Sequence, residues 1–184
     1  MEIALAFLGV LGGLITFSVG LWQYHKAQRW KVLEFVASEI KDFSQKPGVS
    51  NAMLMLDYEN LEIDLFPDEK QSASRFVRVN EGLIVKALAA HPDQGFDDTE
   101  VAIRNTFDHF FGCLERFDQY IETGLVKYKD FHPYLRYWLA ILVEADSGLK
   151  TQALVSAVHA FLVAFKYEGV LRLLGRYREH ASIV

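Results

Sequence analysis

Along this chain, one long stretch carries no charge at all, and most of the remainder shows a helical rhythm of apolar positions. Ile3 to Trp22 reads IALAFLGVLGGLITFSVGLW, and Lys26, Arg29 and Lys31 come directly after it. At 1.5 Å rise per residue, about twenty apolar residues cover the roughly 30 Å hydrocarbon core of a bilayer. The pattern predicts an N-terminal transmembrane anchor over residues 1–24. A cleaved signal peptide fits less well. Glu2 stands where such a leader has a positive flank, and no Ala-x-Ala pattern follows the run.

Residues 25–184 alternate polar and apolar positions. Trp22 to Gln45 continues as helix, with Leu33, Val36, Ile40 and Phe43 on one side, until Lys46-Pro47-Gly48 stops it. A short helix covers Ser50 to Tyr58. The period then changes to two: Leu61, Ile63 and Leu65 alternate with Glu62 and Asp64, and Arg75 to Val79 is a second strand-like run. A small β-hairpin within 61–79 is expected, turning across Pro67 to Ser74. Glu81 to Ala90 is helical again.

Asp97 and Asp98 open the clearest helix, where carboxylates cap free amides. Ile103, Phe107, Phe110, Phe111, Leu114, Phe117 and Ile121 follow its apolar stripe. Asp130 to Asp146 gives another helix, with Pro133 expected in its first turn. Thr151 caps the next, with Leu154, Val155, Val158, Phe161, Leu162 and Phe165 inside. The last runs from Tyr167 to about Glu179. The predicted fold is mainly α: an N-terminal transmembrane helix, then a cytosolic α-helical bundle carrying a small β-hairpin.

Orientation follows from basic residues beside the span. Lys26, Arg29 and Lys31 lie after it and no Lys or Arg lies before it, so the positive-inside rule puts the N-terminus outside and the following domain in the cytoplasm of an inner (plasma) membrane. The single cysteine, Cys113, agrees with a reducing compartment. Trp22, Tyr24 and Trp30, with Lys26, Arg29 and Lys31, suit the membrane interface. Within the span, Gly9 and Gly13 make a G-x-x-x-G, and Gly12, Thr16 and Gly20 repeat every four residues. Small residues at that spacing let helix backbones approach closely in lipid. The expected partners are the bilayer and, through this helix, a membrane protein complex or a second copy of the chain.

A net charge of −5 and a pI near 5.7 give no footprint for nucleic acid. Fourteen Phe argue for a packed core rather than a disordered tail. His109 and Cys113 are four apart, but zinc needs two further ligands and none lies nearby. Glu115 and Glu122 lack the histidine three residues on that di-iron bundles use. Solvated charge, with Arg104 and Asp108 as an i,i+4 pair, is the simpler reading. The acidic stretch from Asp57 to Glu69 lacks calcium-loop spacing. His159 reads as a core side chain and Cys113 as a buried thiol. No nucleophile elbow or phosphate loop is present. No catalytic residue, cofactor or metal is assigned.

The last helix carries Lys166, Arg172, Arg176, Arg178 and His180 beside an apolar set. A basic amphipathic helix can lie on anionic lipid or meet a partner, so Arg172, Arg176 and Arg178 are candidate surface contacts. Glu168 and Glu179 dilute the charge, and a core-packed helix with a basic exterior is the favoured reading.

Trp30-Lys31-x-x-Glu34-Phe35, Asn51-Ala52-x-x-Met55-Leu56-Asp57-Tyr58, Phe110-Phe111-x-x-Leu114-Glu115-Arg116-Phe117 and Asp130-Phe131-x-Pro133-Tyr134-Leu135 resemble uncharacterised bacterial single-pass membrane proteins with a cytosolic helical domain of unknown function. The resemblance implies fold and topology and carries no catalytic residue across. The expected role is a non-enzymatic accessory or scaffold protein. A self-associating membrane effector or sensor is the alternative, and a membrane-bound enzyme without a recognisable motif comes third.

Overall fold

The computed structural model describes residues 2–67, 75–90, 95–143 and 150–181, with side chains from Leu11 onward. The chain divides into two compact units, Met1–Glu39 and Ile40–Val184. The first is a single helix, the major part of α1 (Glu2–Gln45). No proline interrupts it, and at 1.5 Å per residue the stretch Glu2–Glu39 rises about 57 Å.

Among the described residues, no helix is long and apolar enough to cross a membrane. The expected span begins at Ile3, however, and the side chains of residues 1–10 lie outside the described residues. The described part of the run, Leu11 to Trp22, covers only ~18 Å of helix axis.

The second unit is mainly α. It begins with the last turn of α1, followed by α2 (Pro47–Asp57), β1 (Leu61–Asp64), β2 (Phe76–Val79), α3 (Glu81–Ala87), α4 (Asp98–Glu122), α5 (Tyr128–Val143), α6 (Gln152–Ala164) and α7 (Glu168–Ala181). Pro47 acts as a start as well as a stop. It ends α1 and occupies the beginning of α2, where a missing amide costs nothing. The strands pair antiparallel with Leu61 opposite Val79 and Ile63 opposite Val77. Ile63 and Val79 are buried, while Glu62 and Arg78 point outward as the alternation requires. The hairpin's expected turn, residues 68–74, lies outside the described residues.

Helix α4 is the centre of this unit. Asp97 accepts the amide of Glu100 at 2.8 Å, and Glu100 returns a bond to the amide of Asp97 at 3.1 Å, a reciprocal capping box. Phe107, Phe110, Phe111 and Phe117 are fully buried. Phe43 packs against Phe110 and, edge-on, against Phe117 with ring centroids 5.7 and 5.2 Å apart, and Phe117 meets Phe131 at 4.7 Å. Phe111 reaches Phe161 of α6 at 5.9 Å. These contacts tie α4 to three other elements.

Three local expectations change. Helix α5 starts at Tyr128, so Pro133 lies inside it rather than in its first turn. The Asp130 carboxylate folds back to accept the amide of Lys127 at 3.2 Å, which secures the earlier start. Phe165 closes α6 as an exposed residue at 42% accessibility, outside the core, and His159 is likewise exposed. The end of the expected α5, residues 144–146, lies outside the described residues.

Candidate functional site

Helix α1 presents two kinds of surface. Leu11, Leu14, Ile15, Phe17, Val19, Leu21 and Trp22 are all exposed large apolar side chains. At 100° per residue they spread over more than half of the helix circumference. Gly12, Gly13, Thr16 and Gly20 fill the remaining arc of about 100°, and the spacing of Gly9 puts it there too. A Cβ added at Gly12, Gly13 or Gly20 would meet nothing within 4 Å. The hydroxyls turn inward: Thr16 Oγ1 donates to the Gly12 carbonyl at 2.9 Å and Ser18 Oγ to the Leu14 carbonyl at 2.8 Å. Below this surface, Lys26 Nζ sits over the Trp22 ring at 5.2 Å, and Tyr24 meets His25 edge-on. Trp22, Tyr24 and Trp30 are all more than half exposed, and Lys31 is exposed. Arg29 lies between them on the same helix.

The arginines of α7 have a different setting. Asp118 of α4 is completely buried. It accepts from Arg172 Nε at 2.9 Å and from both Arg172 and Arg176 guanidinium nitrogens at 2.7 Å. Arg176 also pairs with Glu122. The neighbouring carboxylate raises the proton affinity of Arg172 further, chiefly through its hydrogen bond to Asp118. Glu115 Oε1 accepts the amide of Val170 at 2.9 Å, capping the start of α7. Gly169 sits where a Cβ would come within 3.0 Å of Asp118 Oδ2 and 2.9 Å of Glu115 Oε2. Arg172 and Arg176 are thus held in a seam between α4 and α7. Arg178 is exposed on the same helix.

Arg104 and Asp108 do not pair with one another. Arg104 donates to the carbonyls of Ala87 and Ala89, and its guanidinium lies 4.5–4.8 Å from the rings of Phe96, Phe161 and Phe165. Asp108 accepts from the Tyr167 hydroxyl at 2.8 Å. Tertiary partners replace the local pair because both residues face packed neighbours rather than water. Cys113 is buried, as expected, with Lys46 Nζ 3.5 Å from its sulfur. His109 is exposed. Among the described residues, no group of three His, Cys, Asp or Glu side chains could hold a metal ion.

A cleft of about 530 Å³ lies between α5 and α7. His132, Arg136, Tyr137 and Ala140 line it from one helix, and Tyr177 and His180 from the other. The His132 and His180 rings stack at 4.6 Å with 16° between planes. Tyr177 stacks on His132 at 6.5 Å, and Tyr128 lies 5.4 Å from the same ring. Burial, then the charges of His180 and Arg136, hold His132 below the usual imidazole range. Residue spacing carries a faint trace of this cleft, since His132 and Arg136 are four apart and Tyr177 and His180 three apart. Nothing in the sequence says that the two helices meet.

No family model, no curated protein and no solved structure matches this chain.

Proposed function

We propose that this chain is a single-pass membrane protein that places a helical interaction domain at the cytoplasmic face of a membrane complex, acting as a non-enzymatic accessory or scaffold. One observation carries the reading: the uncharged run from Ile3 to Trp22 lies in one unbroken helix whose large apolar side chains, where described, stand exposed. Leaving such side chains in water costs roughly 1.5–3 kcal/mol each, so the seven from Leu11 to Trp22 forgo on the order of 10 kcal/mol. Hydrocarbon removes that cost. A helix apolar around most of its circumference belongs in such a medium, and the internally bonded Thr16 and Ser18 hydroxyls are at home there.

The basic residues Lys26, Arg29 and Lys31 orient the span with the helical unit on the cytoplasmic side, and Trp22, Tyr24 and Trp30 suit the headgroup level. The small-residue arc of Gly9, Gly12, Gly13, Thr16 and Gly20 is the surface on which a partner helix would pack. Arg172 and Arg176 serve chiefly to hold α7 onto α4, while Arg178 is exposed on the same helix.

The test has two stages. After expression and carbonate extraction, the intact chain is expected in the membrane pellet, and Leu14→Arg combined with Phe17→Arg is expected to release it. Recovery of the intact chain in the supernatant would overturn the anchor. Mild-detergent purification from native membranes should then yield stoichiometric foreign membrane subunits, lost on Gly12→Leu or Gly20→Leu. A homo-oligomer sensitive to the same substitutions would instead establish the self-associating effector or sensor. A clean monomer would refute both.

A further inference from the structure

We propose that the cleft between α5 and α7 is a binding site for a small organic phosphate, held by Arg136 and the stacked pair His132 and His180. The charges make the case first. Arg136 is exposed at the cleft, and among the described residues it has no ionic or hydrogen-bonding partner. Among the described residues no Asp or Glu lines the cleft itself; Asp57, beside its wall, is taken up by the Tyr137 hydroxyl. One guanidinium and two imidazole rings therefore line the cleft with no carboxylate among its described lining residues. The contrast with the adjoining seam is sharp, for there Arg172 and Arg176 are matched by Asp118 and Glu122.

Geometry narrows the ligand. Two imidazole rings stacked 4.6 Å apart repel when both are charged, and an anion beside them offsets that repulsion. A phosphate monoester brings close to two negative charges and three acceptor oxygens, which suit a forked guanidinium together with imidazole N–H donors. The volume, about 530 Å³, exceeds the needs of an inorganic anion. The Tyr137 and Tyr177 rings and the Ala140 methyl supply apolar walls for an organic body. Both helices are seated in the core through Leu135 and Leu139 of α5 and Leu173 and Leu174 of α7, all of them buried. The site does not depend on the membrane reading.

The test uses the full chain in dodecyl maltoside, which contains no phosphate, with ¹³C-labelled histidine and phenyl phosphate as the probe. Saturable shifts of the His132 and His180 ring resonances are expected. Arg136→Gln should weaken binding by about tenfold, the loss of one charge-assisted bidentate contact. Arg78→Gln, a change of equal charge on the exposed face of β2, should leave it within about twofold, since a distant surface charge is screened. Absence of a saturable shift up to millimolar probe would overturn the proposal. Equal weakening by both variants, or equal binding of uncharged benzyl alcohol, would overturn it too. Adding phosphatidic acid to the micelles distinguishes the source. Competition with phenyl phosphate identifies a lipid headgroup as the natural ligand, and lack of competition identifies a free phosphate ester.

Discussion

Replacing Asp118 by Ala tests how the helical unit holds its last helix. The carboxylate is fully buried and accepts three charge-assisted hydrogen bonds of 2.7–2.9 Å from Arg172 and Arg176. At about 1.5–3 kcal/mol each, three such bonds would total more than 4 kcal/mol if both partners were also buried. They are not. The Arg172 side chain is 47% accessible and that of Arg176 26%, so each recovers hydration once released. We therefore expect a loss of about 3 kcal/mol, the lower end for breaking a buried pair. For a chain of this size that is a fall in melting temperature of roughly 6–12 °C. Arg172→Gln should cost only about 1 kcal/mol, because Arg172 is half exposed and Arg176 still neutralises Asp118. The assay is a circular-dichroism melt of the full chain in mild detergent, with hydrogen exchange reporting on α7. Equal costs for the two substitutions, or less than about 1 kcal/mol for Asp118→Ala, would refute the assignment of Asp118 as the buried anchor of α7.

The other predictions rest on packing and titration. Phe117→Ala removes the ring between Phe43 and Phe131 and should cost about 3–5 kcal/mol in the same melt; a loss below about 1 kcal/mol would mean these rings are not a packed core. Gly169→Ala would drive a methyl into Glu115 and Asp118, so it should destabilise α7 and speed its hydrogen exchange, although alanine is the better helix former; unchanged exchange would refute the close approach of α4 and α7. His132 binds its proton less tightly in the folded chain than its ordinary value of 6.5, owing to burial, His180 and Arg136. The unfolded chain then binds this proton more readily at mildly acid pH, so the stability His132 contributes falls as pH drops through about 6.5. Tyr128, Tyr177, Arg136 and His180 face this ring and none supplies a negative charge near neutrality. His132→Phe should flatten the slope of melting temperature against pH between about 5 and 7; an unchanged slope would refute the role of His132.

Much of the architecture lies in short-range pattern. The Phe107 to Phe117 stripe, the Asp97 and Glu100 capping box, the Thr151 cap and the alternation around Ile63 each depend on residues within a turn or two of each other. Backbone hydrogen bonding and the burial of one face act over that distance, so helices, strands and their order were legible. The uncharged run of α1 and its small-residue arc are legible for the same reason. Partners of charged and ring-bearing groups were not. Arg172 and Arg176 meet Asp118 from 54 and 58 residues away, and Arg104 leaves Asp108 for two carbonyls and three Phe rings. Local spacing offers each of these side chains several equivalent neighbours. Only the packing of α4 against α7, and of α5 against α7, decides which charge is buried, which is neutralised and which, like Arg136, is left facing an open cleft. The sequence determined the elements because their causes are local, whereas the seam and the cleft exist only where distant helices are brought to share one desolvated space.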